Sequence, residues 1–169
     1  MGVTENRFVL CDTELCIGCT MCEKKCASSH FGLTVKEARA AGIKLIPRNK
    51  VIKVKDPKKS AALQCMQCED AACVRACPLG VIHVENGIVR VNEEDCIGCG
   101  TCVMVCPVGA INVHDVQDPE TGDSRLIALK CDLCYDKESQ ACIEGCKFKA
   151  LSLVSWGEFR AGKAPKEQG

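Results

Sequence analysis

The spacing of the cysteines constrains this chain more than any other feature of its sequence. Seventeen of the 169 residues are cysteine, and sixteen of them fall into four groups of four. In each group the first two cysteines are three residues apart and the last two are four residues apart. The groups are Cys16, Cys19, Cys22 and Cys26; Cys65, Cys68, Cys73 and Cys77; Cys96, Cys99, Cys102 and Cys106; and Cys131, Cys134, Cys142 and Cys146. This internal repeat predicts four related metal-binding units, and only Cys11 lies outside it.

Disulfides are the first alternative to metal, because roughly one residue in ten is cysteine. Disulfide scaffolds are typical of short secreted chains that carry a signal peptide. Residues 1–8 contain acidic and polar side chains and no apolar or twin-arginine signal, and no apolar run approaches the roughly 18–20 residues of a membrane helix. We therefore expect a cytoplasmic chain without a membrane span, whose reduced thiols bind metal, although an exported partner subunit can carry such a chain across a membrane. The equal numbers of basic and acidic residues, 22 each, argue against a nucleic-acid binder.

Iron–sulfur clusters explain the cysteine spacings better than zinc does. Structural zinc sites favour two C-x2-C pairs with a longer spacer and one ion per four ligands. The first and third groups instead place three cysteines within seven residues, which suits a loop around a [4Fe–4S] cube. The fourth group alone, with two pairs separated by seven residues, also matches zinc. Because it accompanies three cluster-type groups, the sequence predicts four [4Fe–4S] clusters.

A crossover rule predicts which cysteines share a cluster. In bacterial two-cluster ferredoxins, the fourth cysteine of a group ligates the other cluster. The second and third groups are separated by only 18 residues and are expected to pair, which leaves the first and fourth groups to pair around them. The predicted ligand sets are Cys16, Cys19, Cys22 and Cys146 (cluster A); Cys131, Cys134, Cys142 and Cys26 (cluster B); Cys65, Cys68, Cys73 and Cys106 (cluster C); and Cys96, Cys99, Cys102 and Cys77 (cluster D).

Short alternating segments between the groups predict strands and hairpins. Residues 81–84 and 88–91 flank Asn86-Gly87, a strong tight-turn signal. Residues 111–116 and 126–129 flank a polar loop and predict a second hairpin, and residues 51–54 suggest another strand. Short helices are expected after the third cysteine of the first three groups. A further helix over 34–41 would begin at a Thr34 capping box with Glu37 and end at Gly42.

Together these elements predict an α+β fold of two interlocked bacterial two-cluster ferredoxin-like lobes, with short hairpins and short helices. The predicted parts are an outer lobe of residues 1–30 plus 117–155, an inner lobe of residues 60–116, an insert of residues 31–59 and a tail of residues 156–169.

The four groups in this nested order resemble the iron–sulfur electron-transfer subunits of the dimethyl-sulfoxide-reductase type. Relatives of that type occur in formate dehydrogenases, hydrogenase-linked polyferredoxins, tungsten aldehyde oxidoreductases and CO dehydrogenases. The segments that carry the resemblance are CIGCTMCEKKC, CMQCEDAACVRACP, CIGCGTCVMVCPVGAI and KCDLC with CIEGC, within residues 16–152. Some relatives lack one cysteine of the third group and hold a [3Fe–4S] centre there. Since this chain has all four, the resemblance implies four complete cubanes.

The expected function is electron transfer without catalysis, because the sequence contains no nucleotide-binding motif and no recognisable pattern of catalytic residues. The expected partner is a catalytic oxidoreductase subunit, a molybdenum- or tungsten-pterin enzyme first and hydrogenase or CO dehydrogenase next. A flavin/NAD subunit or a ferredoxin would be the acceptor. A free polyferredoxin with several clients is the alternative, and a structural or sensing metal module is the alternative of another class.

Several residues near the groups have plain structural interpretations. Cys11 is expected to be a buried structural thiol rather than a ligand, because free cysteines are commonly buried. Three histidines are expected to be structural or surface residues: His30, His83 and His114. Four lysines next to ligands are expected to be surface residues rather than tuners of cluster potential: Lys24, Lys25, Lys147 and Lys149. Trp156 and Phe159 either mark a partner surface or pack back onto the body.

Overall fold

A computed structural model describes residues 6–53, 59–118 and 121–163 of the chain. This part contains eight strands and six helices. The strands are β1 (Arg7–Cys11), β2 (Lys50–Lys53), β3 (Ser60–Leu63), β4 (Ile82–Glu85), β5 (Ile88–Val91), β6 (Asn112–Gln117), β7 (Ser124–Leu129) and β8 (Leu151–Ser155). The helices are α1 (Met21–Phe31), α2 (Val35–Ala40), α3 (Ala72–Ala76), α4 (Thr101–Val105), α5 (Ala141–Glu144) and α6 (Trp156–Arg160). These short helices and strands confirm the mixed α+β character.

The strands form four separate two-stranded antiparallel sheets, and the two predicted hairpins are among them. β4 and β5 pair across Asn86 and Gly87, whose φ angles of 51° and 77° are those a tight hairpin turn requires. β6 and β7 pair over six residues each. The predicted strand 51–54 corresponds to β2, which pairs with β3; Val54 lies outside the described residues.

The fourth sheet joins the two ends of the described chain, and the sequence analysis did not anticipate it. β1 pairs with β8, with Arg7 opposite Ser155 and Cys11 opposite Leu151. Phe8 on β1 is fully buried and contacts the rings of Trp156 and Phe159 on α6, with centroid distances of 5.0 and 5.4 Å. Trp156 and Phe159 therefore pack back onto the body.

The predicted helices are confirmed, with small shifts in their bounds. α1, α3 and α4 each contain the third cysteine of a group, and α1 runs on to Phe31. Thr34 caps the N-terminus of α2: its hydroxyl accepts from the backbone N–H of Glu37, while the Glu37 carboxylate accepts from the Thr34 N–H. Among the described helices, none has the length and apolar character needed to cross a membrane.

The buried side chains of the described residues form several small hydrophobic clusters rather than one large core. The largest is built from nine buried residues, of which four are cysteines: Cys22, Cys65, Cys131 and Cys142. A second cluster packs Ile82, Val89 and Ile111 around Cys102. Cysteine groups from distant parts of the chain thus meet in its interior, while the division into an outer and an inner lobe stays a prediction.

Candidate metal centres

Two cavities in the structure are each lined by four cysteines. The first lies between the group-one loop, the start of α1 and the segment before β8. The second lies between the segment after α3 and the group-three loop. The first is lined by Cys16, Cys19, Cys22 and Cys146, and the second by Cys77, Cys96, Cys99 and Cys102. Each cavity therefore brings three cysteines of one group together with the last cysteine of another.

Among the other eight cysteines, neighbouring sulfurs raise one another's pKa across the boundaries of the groups. Burial, together with the nearby sulfurs of Cys65 and Cys106, raises the pKa of the Cys73 thiol to about 11. Cys68 has a pKa raised by burial and by the same two neighbours.

Another group of neighbouring sulfurs includes Cys142, which lies on α5. Burial, together with the nearby sulfurs of Cys26 and Cys134, raises the pKa of Cys142 to about 12. Cys131 is buried, and burial followed by the proximity of Cys142 raises the pKa of its thiol. Crowding and burial disfavour the thiolate form of these cysteines. A bound metal cation offsets the free-energy cost of ionisation, because a thiol that coordinates a metal is deprotonated.

Backbone amides donate to sulfurs of all four cysteine groups. The N–H···S distances are 3.3–3.4 Å, from Arg48 to Cys26, Gln67 to Cys65, Ala128 to Cys96, Ala110 to Cys106 and Ala150 to Cys146. Such bonds stabilise an anionic sulfur and raise the potential of an iron–sulfur cluster. The sulfurs of Cys106 and Cys146 each accept from the alanine four residues ahead, so the two equivalent segments repeat the same local geometry.

The donor set fits a [4Fe–4S] cluster at each site. Four sulfur ligands without oxygen ligands suit iron–sulfur clusters or zinc. Two buried side-chain amides, Asn49 and Gln64 (the residue before Cys65), have no hydrogen-bond partner within the described part of the chain. Unpaired buried amides are costly, and the sulfur atoms of a bound cluster would accept from them. The residues present therefore fit the group that the sequence predicts.

Glycines in the two CIGC loops allow the backbone to approach the neighbouring hairpins. Gly98 has φ +64°, and a Cβ there would lie 2.7 Å from the carbonyl oxygen of Leu126 on β7. Gly18 has φ +71°, and its Cβ would lie 2.6 Å from Oγ of Ser60 on β3. Each loop thus needs glycine for both its conformation and its close contact.

A charged network lies beside Cys26. His30 Nε2 lies 3.0 Å from Asp132 Oδ1, its Nδ1 lies 2.8 Å from the Cys26 carbonyl oxygen, and Arg48 Nη1 lies 3.2 Å from Asp132 Oδ2. Burial alone lowers the pKa of His30, but its hydrogen bonds to Asp132 and Cys26 outweigh this effect and raise it to about 9. Burial likewise opposes ionisation of Asp132, but its partners His30 and Arg48 lower the pKa of this carboxyl. The network ties α1 and residue 48 to the fourth cysteine group, and the sequence analysis missed both Arg48 and Asp132.

Lys130 and Gln67 are the most deeply buried polar residues near the sulfurs, at 1% and 0% exposure. Lys130, the residue before Cys131, is not among the lysines that the sequence singled out, which lie within the first group and after Cys146. No sequence signal separates Lys130 from those lysines, since burial depends on the tertiary fold. Cys11, expected to be buried, is only partly so; its sulfur accepts from the Ala62 N–H at 3.3 Å and lies beside Cys16.

Comparisons with known proteins agree with this chemistry. Two family models, each described as a 4Fe-4S binding domain, match residues 13–29 and 89–112. The chain is 41% identical over 167 residues to an iron–sulfur protein of Rhodospirillum rubrum, covering 94% of this chain and 87% of that protein. Two proteins of Escherichia coli strain K12 are similarly related. The electron transport protein HydN is 38% identical, with 96% of each chain covered. The putative electron transport protein YsaA is 40% identical, with 88% of this chain and 90% of that protein covered.

The fold and the cysteine sites define an iron–sulfur protein of the [4Fe–4S] class. At this identity and coverage, the chain belongs to the family of iron–sulfur electron transport proteins that includes HydN and YsaA.

Proposed function

We propose that this chain is a non-catalytic electron-transfer subunit that relays electrons through four [4Fe–4S] clusters between a catalytic oxidoreductase subunit and an acceptor. The observation that carries the proposal is the pair of cavities in which three cysteines of one group meet the last cysteine of another. This is the pattern of ligand exchange found in two-cluster ferredoxins. All sites are then filled by protein thiolates, which leaves no open position for a substrate.

Four ligand sets follow from these groupings. Clusters A and D are supported by the two cavities, and clusters B and C by the electrostatic proximity of their sulfurs. Each cluster supplies one-electron redox chemistry, and the protein holds its position and sets its potential. The proposed ligands are Cys16, Cys19, Cys22 and Cys146 for A; Cys131, Cys134, Cys142 and Cys26 for B; Cys65, Cys68, Cys73 and Cys106 for C; and Cys96, Cys99, Cys102 and Cys77 for D.

Contacts between the sets favour the order A, B, C, D along one path. Cys142 of set B is close enough to Cys22 of set A to affect its ionisation. Cys131 of set B is related in the same way to Cys65 of set C. Cys106 of set C packs against the buried cluster that contains Cys102 of set D. We infer a chain of neighbouring centres in which A and D are the ends.

The two end sites are the proposed docking points for partners. Cys19 of set A and Cys99 of set D are the only exposed cysteines in the described residues. Around Cys99, Ile97 and Met104 are 63% and 87% exposed, and Ile17 beside Cys19 is 60% exposed. Apolar groups around an exposed thiolate favour a protein surface that excludes water there. One end would accept electrons and the other would deliver them.

The catalytic partner we propose first is a molybdenum- or tungsten-pterin enzyme, as in the dimethyl-sulfoxide-reductase type, with hydrogenase or CO dehydrogenase next. Another relative, 35% identical, is named formate hydrogenlyase subunit 2 of Escherichia coli, which supports a place within a multisubunit oxidoreductase. The acceptor would be a flavin/NAD subunit or a ferredoxin. A cytoplasmic location is part of this proposal.

Purification under anaerobic conditions tests the role. The proposal expects about sixteen iron atoms per chain, reversible reduction, and stoichiometric co-purification with a large subunit. A fully loaded chain that purifies alone and reduces several unrelated acceptors would favour a free polyferredoxin instead. A chain that contains zinc in place of iron, or iron that cannot be reversibly reduced and reoxidised, would indicate a structural or sensing module and refute electron transfer.

Matched cysteine variants test the crossover. Cys26→Ala should alter the same low-temperature EPR signal of the reduced protein that Cys134→Ala alters, because both residues are assigned to cluster B. Cys146→Ala should instead reproduce the change caused by Cys19→Ala, at cluster A. If Cys26→Ala matches Cys19→Ala, each group binds its own cluster and the proposed ligand sets are wrong.

A further inference from the structure

Lys130 places an ammonium group in the interior of the protein without a carboxylate partner. The side chain is 1% exposed. Its Nζ donates to the carbonyl oxygen of Cys131 at 2.8 Å and to that of Val89. Within residues 6–53, 59–118 and 121–163, no Asp or Glu forms an ion pair with it. A buried cation held only by neutral carbonyls is expensive, so a negative charge is expected close by.

Beyond these two carbonyls, sulfurs of two cysteine groups lie close enough to the ammonium to interact with it electrostatically. Lys130 interacts electrostatically with Cys68 and Cys73 of set C and with Cys131 of set B. These sulfurs are neutral as thiols and negative as thiolates in a bound cluster. The missing negative charge is therefore supplied once the sites B and C are loaded.

Gln67 fixes the position of the ammonium. Its Nε2 donates to the Cys131 carbonyl oxygen at 2.8 Å, and its Oε1 accepts from the Val89 N–H at 2.8 Å. Gln67 and Lys130 thus bind the same two residues, one on β5 and one at the start of the fourth group. Gln67 also donates its own N–H to the sulfur of Cys65 in set C. This arrangement holds the charge in place between the two sets.

We infer that Lys130 is an internal counter-ion that raises the reduction potentials of the two interior clusters, B and C. This inference rests on the proposed function. With four thiolates a [4Fe–4S] site carries two negative charges when oxidised and three after it accepts one electron. A fixed positive charge stabilises the reduced form more than the oxidised form. No proton is transferred in this step; the electron comes from the reducing partner, or from dithionite in the test.

The test is an EPR-monitored redox titration of the anaerobically purified chain in three variants. Lys130→Gln removes the charge and keeps hydrogen-bond donors, Lys130→Arg keeps the charge, and Lys147→Gln removes an exposed lysine that also adjoins a ligand, Cys146. In Lys130→Gln, reduction of at least one interior cluster should become about tenfold less favourable, a shift of about 59 mV to lower potential for one electron. Clusters A and D should shift less. Lys130→Arg and Lys147→Gln should stay near the wild-type potentials.

The outcomes separate this inference from the proposed function. Unchanged potentials in a fully loaded Lys130→Gln protein would overturn the counter-ion role and leave electron transfer intact. If the Gln variant fails to bind iron while the Arg variant binds it, the positive charge is required for the clusters and the inference is supported. If neither variant binds iron, Lys130 acts through packing alone and the inference is wrong. A wild-type chain without reducible iron would refute the proposed function itself.

Discussion

The backbone N–H of Ala62 donates to the sulfur of Cys11 at 3.3 Å, whereas the equivalent N–H of Ala128 donates to Cys96 at 3.4 Å. The equivalence follows from the loops: Gly18 abuts Ser60, two residues before Ala62, and Gly98 abuts Leu126, two residues before Ala128. In one case the amide reaches a proposed cluster ligand, the first cysteine of its group. In the other it reaches a thiol that belongs to no group. Cys11 therefore takes a hydrogen bond that Cys16 would receive if the two sites were identical.

Replacement of Cys11 is the first prediction. Cys11→Ala should keep the wild-type iron content, about sixteen atoms per chain, because the other sixteen cysteines complete four sites. Its matched control, Cys16→Ala, should lose or convert one cluster and lower the iron content by up to about a quarter. Iron and sulfide analysis with EPR of the reduced protein checks both variants. A loss of a whole cluster in Cys11→Ala would make Cys11 a ligand.

Gly98 should tolerate no side chain. Gly98→Ala combines a left-handed backbone with a clash against the Leu126 backbone, so it should lower the free energy of unfolding by about 2–5 kcal/mol. Gly32 has a similar φ of +66° but open space around its Cβ position, so Gly32→Ala should cost only about 1 kcal/mol. Chemical unfolding under anaerobic conditions measures the difference. Equal costs for the two variants would show that the close contact at Gly98 contributes nothing.

The Asp132 carboxylate should be important for stability. Asp132→Asn leaves the nearby charges of His30 and Arg48 without their shared partner, so we expect a loss of about 2–4 kcal/mol in the free energy of unfolding. Asp136, which pairs with Lys137 on the surface at 3.4 Å, provides the matched control. Asp136→Asn should cost less than about 1 kcal/mol, because exposed ion pairs are weak. Similar decreases in the free energy of unfolding of the two variants would show that the buried ion pairs of Asp132 stabilise the protein no more than the exposed pair of Asp136.

The contact between β1 and α6 should also contribute strongly. Phe8→Ala removes a fully buried ring from between Trp156 and Phe159 and should lower the free energy of unfolding by about 3–5 kcal/mol. Phe159→Ala, at a ring that is 41% exposed, should cost about half as much or less. The midpoint of anaerobic chemical unfolding compares them. A larger effect of Phe159→Ala would mean that α6 is held by other contacts.

Removal of iron should unfold much of the chain. Four of the nine buried residues in the largest core cluster are cysteines, so the apoprotein loses the cross-links that replace a large apolar core. Treatment with a strong iron chelator and a reductant should reduce the far-UV circular dichroism signal and increase protease sensitivity. An apoprotein that keeps the native spectrum and resists protease would show that the polypeptide folds without its clusters.

Much of the local structure could be predicted from the sequence because local signals specify it. The Asn86-Gly87 turn and the Thr34 capping box each depend on residues a few positions apart, and both are present in the structure. The four cysteine groups likewise identify themselves by spacing. The bounds of the helices differ by a few residues, since helix ends depend on packing as well as on capping.

The parts that could not be predicted depend on long-range contacts. Arg7 on β1 pairs with Ser155 on β8, although the two residues are far apart in the sequence. Neither short segment has a sequence pattern that predicts which strand it pairs with. The sequence around Lys130 does not distinguish it from a surface lysine; its burial and its hydrogen bond to the Val89 carbonyl oxygen are visible only in the structure. Arg48, within the stretch interpreted only as an insert, donates its N–H to Cys26 and binds Asp132. Their roles follow from where the backbone places them rather than from the residues around them.

Because β1 pairs with β8, the ribosome must synthesise residues 151–155 before β1 can form its sheet. Until then Phe8 stays without its aromatic neighbours, and truncated products that end before residue 151 would leave it exposed. Chains that terminate before residue 151 would therefore keep an unpaired β1, an open end that quality control can recognise.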